Sequence, residues 1–184
     1  MVTRCDWADS SPLMQAYHDH EWGKPLHDDH ALFELMCMET YQAGLSWQTV
    51  LNKRAAFNED FKGYDVAVVA EMSPEDWEPF LQDERIIRHR GKLAATVNNA
   101  QAFQRIQAAF GSFATYWWAF VDNQTQMNDV PTMTAVPGKT DLSVAIAKDL
   151  KKRGFKFMGP VATYAYMQAT GMVNDHLNDC EFKN

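Results

Sequence analysis

The chain has few thiols: only three cysteines in 184 residues. An odd, small number of cysteines is a poor basis for a disulfide framework. It also has no apolar run near the roughly 20 residues that a membrane span requires. The first twelve residues lack the apolar stretch of a secretory signal peptide. These absences predict a cytoplasmic protein without membrane contacts, and the length fits one domain over residues 1–184.

Basic residues are in deficit as well. Seventeen Lys and Arg stand against 24 Asp and Glu, which gives a formal net charge of -7. An average charge of this sign is unfavourable for a polyanionic partner. A local basic surface can override the average, so nucleic acid stays open as a partner.

Helix start and stop signals dominate the chain, and no run of alternating strand residues appears. Asp28 and Asp29 can cap a helix that Gly44 would end. Ser73 followed by Pro74 is a strong helix start. These signals predict an all-α domain with the polar segment 124–140 as a loop. The predicted helices cover 30–43, 46 onward, 74 onward, 92–110 continued by 113–120, 142–153 and 160–170.

Two Cys/His pairs at opposite ends of the chain have the composition of a zinc site. Cys5 and His18 lie near the N-terminus, and His176 and Cys180 near the C-terminus. Zinc held by two cysteines and two histidines is usually structural and four-coordinate. The spacing of His176 and Cys180 would put both on one helical face. The alternative is two unrelated cysteines and two surface histidines.

Residues 142–170 have the pattern of a helix-hairpin-helix element. A basic helix end leads into a short apolar turn bracketed by Gly154 and Gly159, with Lys156 between them. The free N–H groups at the start of the second helix would bind a phosphate. Such an element would contact the DNA backbone without reading sequence. The alternative is an ordinary turn between two helices.

Residues 85–92 form a second basic cluster, with three arginines, a lysine and a histidine. Beside a phosphate-binding hairpin this cluster is a plausible second contact with the DNA backbone. The alternative is a solvated junction between a helix and a turn.

Glu39 is the most informative ionisable residue. Leu32, Leu35 and Met36 stand seven, four and three positions before it, so Glu39 falls on the apolar face of its helix. A carboxylate there is costly unless it is hydrogen-bonded or lines a pocket. The sequence leaves its protonation state open. The alternative is a carboxylate paired with an internal donor.

Aromatic residues are dense near this helix in the sequence. Aromatic side chains are more often core than ligand contacts. With a buried carboxylate and a DNA-binding hairpin, however, they suggest a pocket that stacks a flipped-out base, a cationic base above all. The residues are Trp7, Tyr17, Trp22, Tyr41 and Trp47.

Together these segments closely resemble the 3-methyladenine DNA glycosylase I family. The resemblance covers essentially the whole chain, and its motifs are highly specific in combination. The matching stretches are Arg4–Trp7, Tyr17–Gly23, Glu39–Trp47, Ile86–Lys92, Lys151–Gly159 and Val173–His176.

The resemblance implies a helix-hairpin-helix DNA glycosylase fold with a zinc snap that joins the two ends of the chain. Cys5, His18, His176 and Cys180 would be the ligands of a structural Zn²⁺. Glu39 would be the catalytic residue and contact the edge of the methylated adenine. The remaining roles would fall to Trp7, Tyr17, Trp22 and Trp47 in the base pocket, and to Gly44, Leu45, Gly154, Lys156 and Gly159 at the DNA.

Two positions stand out against this resemblance. Met14 occupies a place where the family often has a second pocket tyrosine, and a thioether cannot donate a hydrogen bond. Asn174 aligns with the catalytic aspartate of other helix-hairpin-helix glycosylases, so the family implied is one without that aspartate. We expect Asp175 to be structural.

The function implied is base-excision repair: hydrolysis of the N-glycosidic bond of 3-methyladenine in double-stranded DNA by a monofunctional monomer that requires no protein partner. The His18-Asp19 and Asp175-His176 pairs leave a metal-dependent hydrolase as an alternative. A third possibility is a non-catalytic module that binds damaged DNA.

Overall fold

The computed structural model describes residues 2–184, and helices account for most of this part of the chain. The strands β1 (Gln126–Met127) and β2 (Val173–Asn174) form one short parallel pair. The helices are α1 (Pro12–His20), α2 (Asp29–Gln42), α3 (Trp47–Asp60), α4 (Val66–Ala70), α5 (Pro74–Trp77), α6 (Arg90–Phe110), α7 (Phe113–Ala119), α8 (Asp141–Lys152) and α9 (Pro160–Ala169).

Local capping chemistry explains where the principal helices begin. The side chain of Asp28 accepts a hydrogen bond from Ala31 N at the start of α2, and Ser46 caps α3 through Thr49 N. α9 begins with Pro160 at its first position, where a missing N–H costs nothing. The predictions for these helix starts are confirmed.

Helix α2 lies at the centre of the fold and packs against α3, α6, α7 and α9. Its residues from Leu32 to Tyr41 are buried except Glu34, so side chains on nearly every face of the helix lie in the core. A helix buried on all sides belongs to the interior of a domain. Any polar side chain on its C-terminal half must therefore find a partner or line a cavity.

The structure corrects three details of the sequence-based prediction. The apolar pattern at 113–120 does not continue α6, because the chain turns at Gly111 and Ser112 caps a separate helix, α7. The segment 124–140 contains β1 and a short 3₁₀ helix, Met133–Ala135, since its backbone pairs with residues far away in sequence. The pair His176 and Cys180 does not lie on a helix, because this segment follows β2 as irregular turns.

No helix within residues 2–184 combines the length and apolar character needed to cross a membrane.

Gly171 closes α9 against the segment that leads into α2. Its φ of +71°, and the 2.2 Å that would separate an added Cβ from the carbonyl carbon of Lys24, leave no room for a side chain. Leu26 N donates to Thr170 O beside it (3.0 Å). This close backbone approach joins the segment before α2 to the end of α9.

Candidate active site

A cavity of about 400 Å³ opens beside the C-terminal half of α2. Its volume falls within the roughly 300–1,000 Å³ typical of small-molecule sites. It contains Glu39 and the four aromatic residues assigned to a base pocket from the sequence. The lining residues are Trp7, Met14, Tyr17, Trp22, Glu39, Gln42, Trp47, Met133, Val136, Ala165 and Gln168.

Glu39 is the carboxylic acid in the lining of this cavity. It is 5% exposed, and its Oε2 atom has no hydrogen-bond partner among residues 2–184. Burial raises the pKa of the Glu39 carboxyl to about 8. Another lining residue, Trp47, has a buried indole N–H that is also without a partner in the described part of the chain. The cavity therefore presents a buried indole donor and a carboxyl group that is mostly protonated at neutral pH.

The aromatic side chains form two pairs in the cavity wall. The rings of Trp7 and Trp22 meet edge to face at 5.0 Å between centroids, and those of Tyr17 and Trp47 are tilted at 5.2 Å. Such packing fixes ring orientation. Tyr41, the fifth aromatic residue near α2, is instead a core residue, since it is fully buried and stacked on a phenylalanine.

Cys5, His18, His176 and Cys180 converge at one point next to this cavity. Their ligand atoms lie within 4.8 Å of one another, and all four residues are buried. The shorter separations are 3.1 Å between His18 Nε2 and His176 Nδ1, 3.4 Å between His176 Nδ1 and Cys180 Sγ, and 3.6 Å for both His18 Nε2–Cys180 Sγ and Cys5 Sγ–His176 Nδ1. This group could hold a metal ion.

The second nitrogen of each imidazole is already committed elsewhere. His18 Nδ1–H donates to Asp19 Oδ1 at 2.8 Å, and His176 Nε2–H donates to Trp22 O at 2.9 Å. Each bond turns the lone pair of the other ring nitrogen toward the centre of the group, as outer partners of metal ligands do. Burial lowers the pKa of His176 to about 4, so its imidazole is neutral and able to coordinate.

The chain is similar to known proteins over nearly its whole length. A model of the methyladenine glycosylase family matches residues 7–184. The DNA-3-methyladenine glycosylase of Haemophilus influenzae is 46% identical over 183 residues, which cover 100% of this chain and 99% of that protein. The chain belongs to the methyladenine glycosylase family.

Solved structures of this family superpose closely on the chain. A crystal structure of 3-methyladenine DNA glycosylase I has a TM-score of 0.94 and 47% identity, covering 97% of this chain and 98% of that one. A structure of the Staphylococcus aureus 3-methyladenine DNA glycosylase I, solved for its recognition of 3-methyladenine, has a TM-score of 0.95 and 37% identity. That match covers 98% of this chain and 96% of the other.

The acidic partners of the two His-Asp pairs lie outside the Cys/His group of this methyladenine glycosylase family member. Asp19 accepts hydrogen bonds from His18 and from Arg4 (2.8 Å). Asp175 is 1% exposed and accepts from Tyr164 Oη, the Gln168 amide and a nearby asparagine. Neither carboxylate is among the converging ligands, which argues against the metal-dependent hydrolase.

Five lining residues of the cavity were not assigned to it from the sequence, the first being Gln42 at the end of α2. Met133 and Val136 belong to the segment between β1 and α8, and Ala165 and Gln168 lie on α9. The loop residues carry no local signal, since their place depends on long-range contacts such as that between Val130 N and Asn178 Oδ1. Met14 completes an apolar wall at 7% exposure.

A tight turn connects α2 to α3 at the mouth of the cavity. Leu45 N donates to Gln42 O at 2.7 Å, and the φ angles of Ala43 (-48°) and Gly44 (+81°) are those of a type II turn. Gly44 is the position that requires a positive φ. Leu45, at the end of the turn, is 39% exposed. The turn thus presents an apolar side chain to the outside.

Two asparagines of α6 hold the turn between α8 and α9 through hydrogen bonds to its backbone. Asn98 donates its amide to Gly154 O at 2.8 Å, and Asn99 exchanges two hydrogen bonds with the backbone of Lys156. The Lys156 side chain is exposed, and Gly159 caps α9 in an extended conformation. The two asparagines were missed in the sequence because they look like ordinary polar residues of a long helix.

The basic cluster 85–92 is largely neutralised within the protein. Arg85 pairs with Asp83 and Glu59, and Arg90 pairs with Glu78. Lys92 is buried and donates to backbone carbonyls. Lys92 is thus removed from the surface and Arg85 and Arg90 are paired with carboxylates, while a contact between the exposed Arg88 and the DNA backbone stays a prediction.

Proposed function

We propose that this protein removes 3-methyladenine from alkylated double-stranded DNA by hydrolysing the N-glycosidic bond, leaving an abasic site. The observation that carries the proposal is the unpartnered, buried carboxyl oxygen of Glu39 in an aromatic cavity of a methyladenine glycosylase family member. The Staphylococcus aureus relative recognises the same base.

The cavity suits a cationic base that has been flipped out of the duplex. A base must leave the stack to be reached, and aromatic faces hold it once it is out. We assign Trp47 as the stacking surface, with Tyr17, Trp7 and Trp22 as the remaining wall. The electron-rich faces of these rings favour a positively charged purine.

Glu39 would contact the edge of the base. A nearby cation lowers the pKa of a carboxyl group. The entry of a cationic base therefore favours loss of the Glu39 proton and a charge-assisted hydrogen bond. Methylation at N3 makes adenine a good leaving group, so water can attack the sugar C1′ as the C1′–N9 bond breaks and the neutral base departs, and the proton that the water loses passes to solvent. No covalent intermediate with the protein is needed, and the enzyme is monofunctional.

The DNA would be held by two exposed turns. Gly44 and Leu45 would fill the gap that the flipped nucleotide leaves. The α8–α9 turn, as a helix-hairpin-helix element with Gly154, Lys156 and Gly159, would bind the phosphate backbone through N–H groups and charge. We propose that a single copy of the chain does this without a protein partner.

The donor set and spacing of the Cys/His group fit Zn²⁺. With Zn–S near 2.3 Å and Zn–N near 2.0–2.1 Å, tetrahedral ligand atoms lie about 3.3–3.8 Å apart, close to the separations of 3.1, 3.4 and 3.6 Å noted above. Burial raises the pKa of the Cys5 thiol to about 12, and a bound cation would stabilise the thiolate instead. Bound zinc would supply a structural cross-link between the two ends of the chain.

The test is a methylated DNA duplex whose abasic sites are converted to strand breaks by alkali. We expect breaks above the protein-free level only when protein treatment is followed by alkali, because the glycosylase leaves the backbone intact. Breaks without alkali would contradict the monofunctional mechanism. Binding to the duplex without any alkali-sensitive sites would instead identify a non-catalytic module.

A further inference from the structure

Lys92 was expected at the DNA backbone, yet its side chain points into the protein. The residue is 5% exposed. Its ammonium donates to Tyr41 O at 2.8 Å and to Ala43 O at 2.7 Å. Both acceptors lie at the C-terminal end of α2, where that helix gives way to the turn before α3.

These carbonyls need an outside donor. The last carbonyls of a helix have no partner within it. Leu45 N, which would serve Tyr41 O if the helix continued, donates to Gln42 O in the turn instead. A positive charge is also favourable at a helix C-terminus. Because burying an ammonium is costly, its two short hydrogen bonds identify the turn as the segment that Lys92 fixes.

The turn joins the cavity to the outer surface. Gln42 lines the cavity at its start, and Leu45 is exposed at its end. Ser46 then caps α3, whose first residue is Trp47. Glu39 lies three residues before Gln42 on α2. A shift of this turn would therefore move Leu45 relative to Glu39 and Trp47.

We propose that Lys92 is a positioning residue, which fixes the Gln42–Leu45 turn so that Leu45 enters the duplex while the base occupies the cavity. This inference rests on the proposed function and adds to it a residue that contacts neither base nor phosphate. It predicts that a change at Lys92 slows the excision of a base from DNA much more than it weakens the binding of the free base.

The chain offers a matched control for a purely structural role. Lys53 also holds a turn through carbonyls, donating to the main-chain oxygens of Glu84, Arg85 and Ile86 at 3.1–3.3 Å. That turn contributes nothing to the cavity. Removing either ammonium takes carbonyl hydrogen bonds from a loop, two of 2.7–2.8 Å at Lys92 and three of 3.1–3.3 Å at Lys53, but only Lys92 holds the turn that carries Leu45.

The experiment compares Lys92→Met, Lys53→Met, Leu45→Ala and the Lys92→Met/Leu45→Ala double variant. Single-turnover release of 3-methyladenine from a duplex is measured beside the affinity for free 3-methyladenine, followed by tryptophan fluorescence. Lys92→Gln replaces the methionine variant if thermal unfolding shows that the latter does not fold.

We expect Lys92→Met to slow release from DNA by about ten- to a hundredfold, as misplacement of a reacting group does, with free-base affinity changed less than about threefold. In the Leu45→Ala background Lys92→Met should slow release only slightly further, because the effects of two residues that act through one another are not additive. If Lys92→Met slowed release equally in both backgrounds, or slowed it no more than Lys53→Met does, this inference would be overturned while the proposed function would stand. A wild type that releases no 3-methyladenine would overturn the proposed function and this inference with it.

Discussion

Replacing Glu39 by Gln changes one atom of the candidate site and tests both its charge and its burial. The glutamine has nearly the same shape, but it can neither ionise nor carry a charge-assisted hydrogen bond. Such a bond contributes about 1.5–3 kcal/mol, or roughly 10- to 150-fold in rate. We expect single-turnover excision of 3-methyladenine at pH 7 to fall by that factor, while the fold and metal content stay unchanged.

The same substitution should alter how stability depends on pH. Burial raises the Glu39 pKa from 4.5 to about 8. Between these values the native carboxyl keeps a proton that the unfolded chain releases, so the free energy of unfolding falls as pH rises through this window. Each pKa unit corresponds to about 1.4 kcal/mol, which makes the full effect on the order of several kcal/mol. Glu39→Gln should lack this decline and exceed the wild type in stability at pH 8.

Denaturant unfolding from pH 4 to pH 9 measures the second effect, with the exposed Glu71→Gln as the control. The control should follow the wild-type curve. Near-wild-type excision by Glu39→Gln would remove this carboxyl from the mechanism. Matching pH profiles for wild type and Glu39→Gln would refute the argument that Glu39 is buried without a partner.

Two further predictions concern the metal group and the closure of the chain. Asp19→Asn loses the carboxylate that orients His18 and should weaken zinc affinity about 10- to 100-fold in a chelator competition; unchanged affinity would show that the orientation of His18 does not depend on Asp19. Gly171→Ala should lower the free energy of unfolding by at least about 2 kcal/mol, since its Cβ would meet Lys24 at 2.2 Å. Gly63→Ala, with a φ of +68° and open space, should cost only about 1–2 kcal/mol, and equal losses would contradict the steric argument.

Features set by neighbours in sequence were predictable. The starts of α2 and α3 follow from the capping side chains of Asp28 and Ser46. The burial of Glu39 follows from the apolar residues three, four and seven positions before it. The association of Cys5 with Cys180 rested on residue type, since cysteine and histidine together point to one chemistry.

Features set by long-range contacts were not predictable. Lys92 looked like part of a basic surface, because the sequence does not show that the carbonyls of Tyr41 and Ala43 lie within reach. Met133 reaches the cavity from a loop without any local signal. The spacing of His176 and Cys180 suggested a shared helical face. In the structure His176 instead reaches the other ligands from the irregular turns that follow β2.

The most direct test of the account is to identify the free base that the purified protein releases from N-methylated duplex DNA. Chromatography of the supernatant should show a peak of 3-methyladenine that grows with time for the wild type and is at least tenfold smaller for Glu39→Gln, in line with a lost charge-assisted hydrogen bond of about 1.5 kcal/mol or more. If the wild type releases no 3-methyladenine, the Glu39 cavity is not the site of a 3-methyladenine glycosylase.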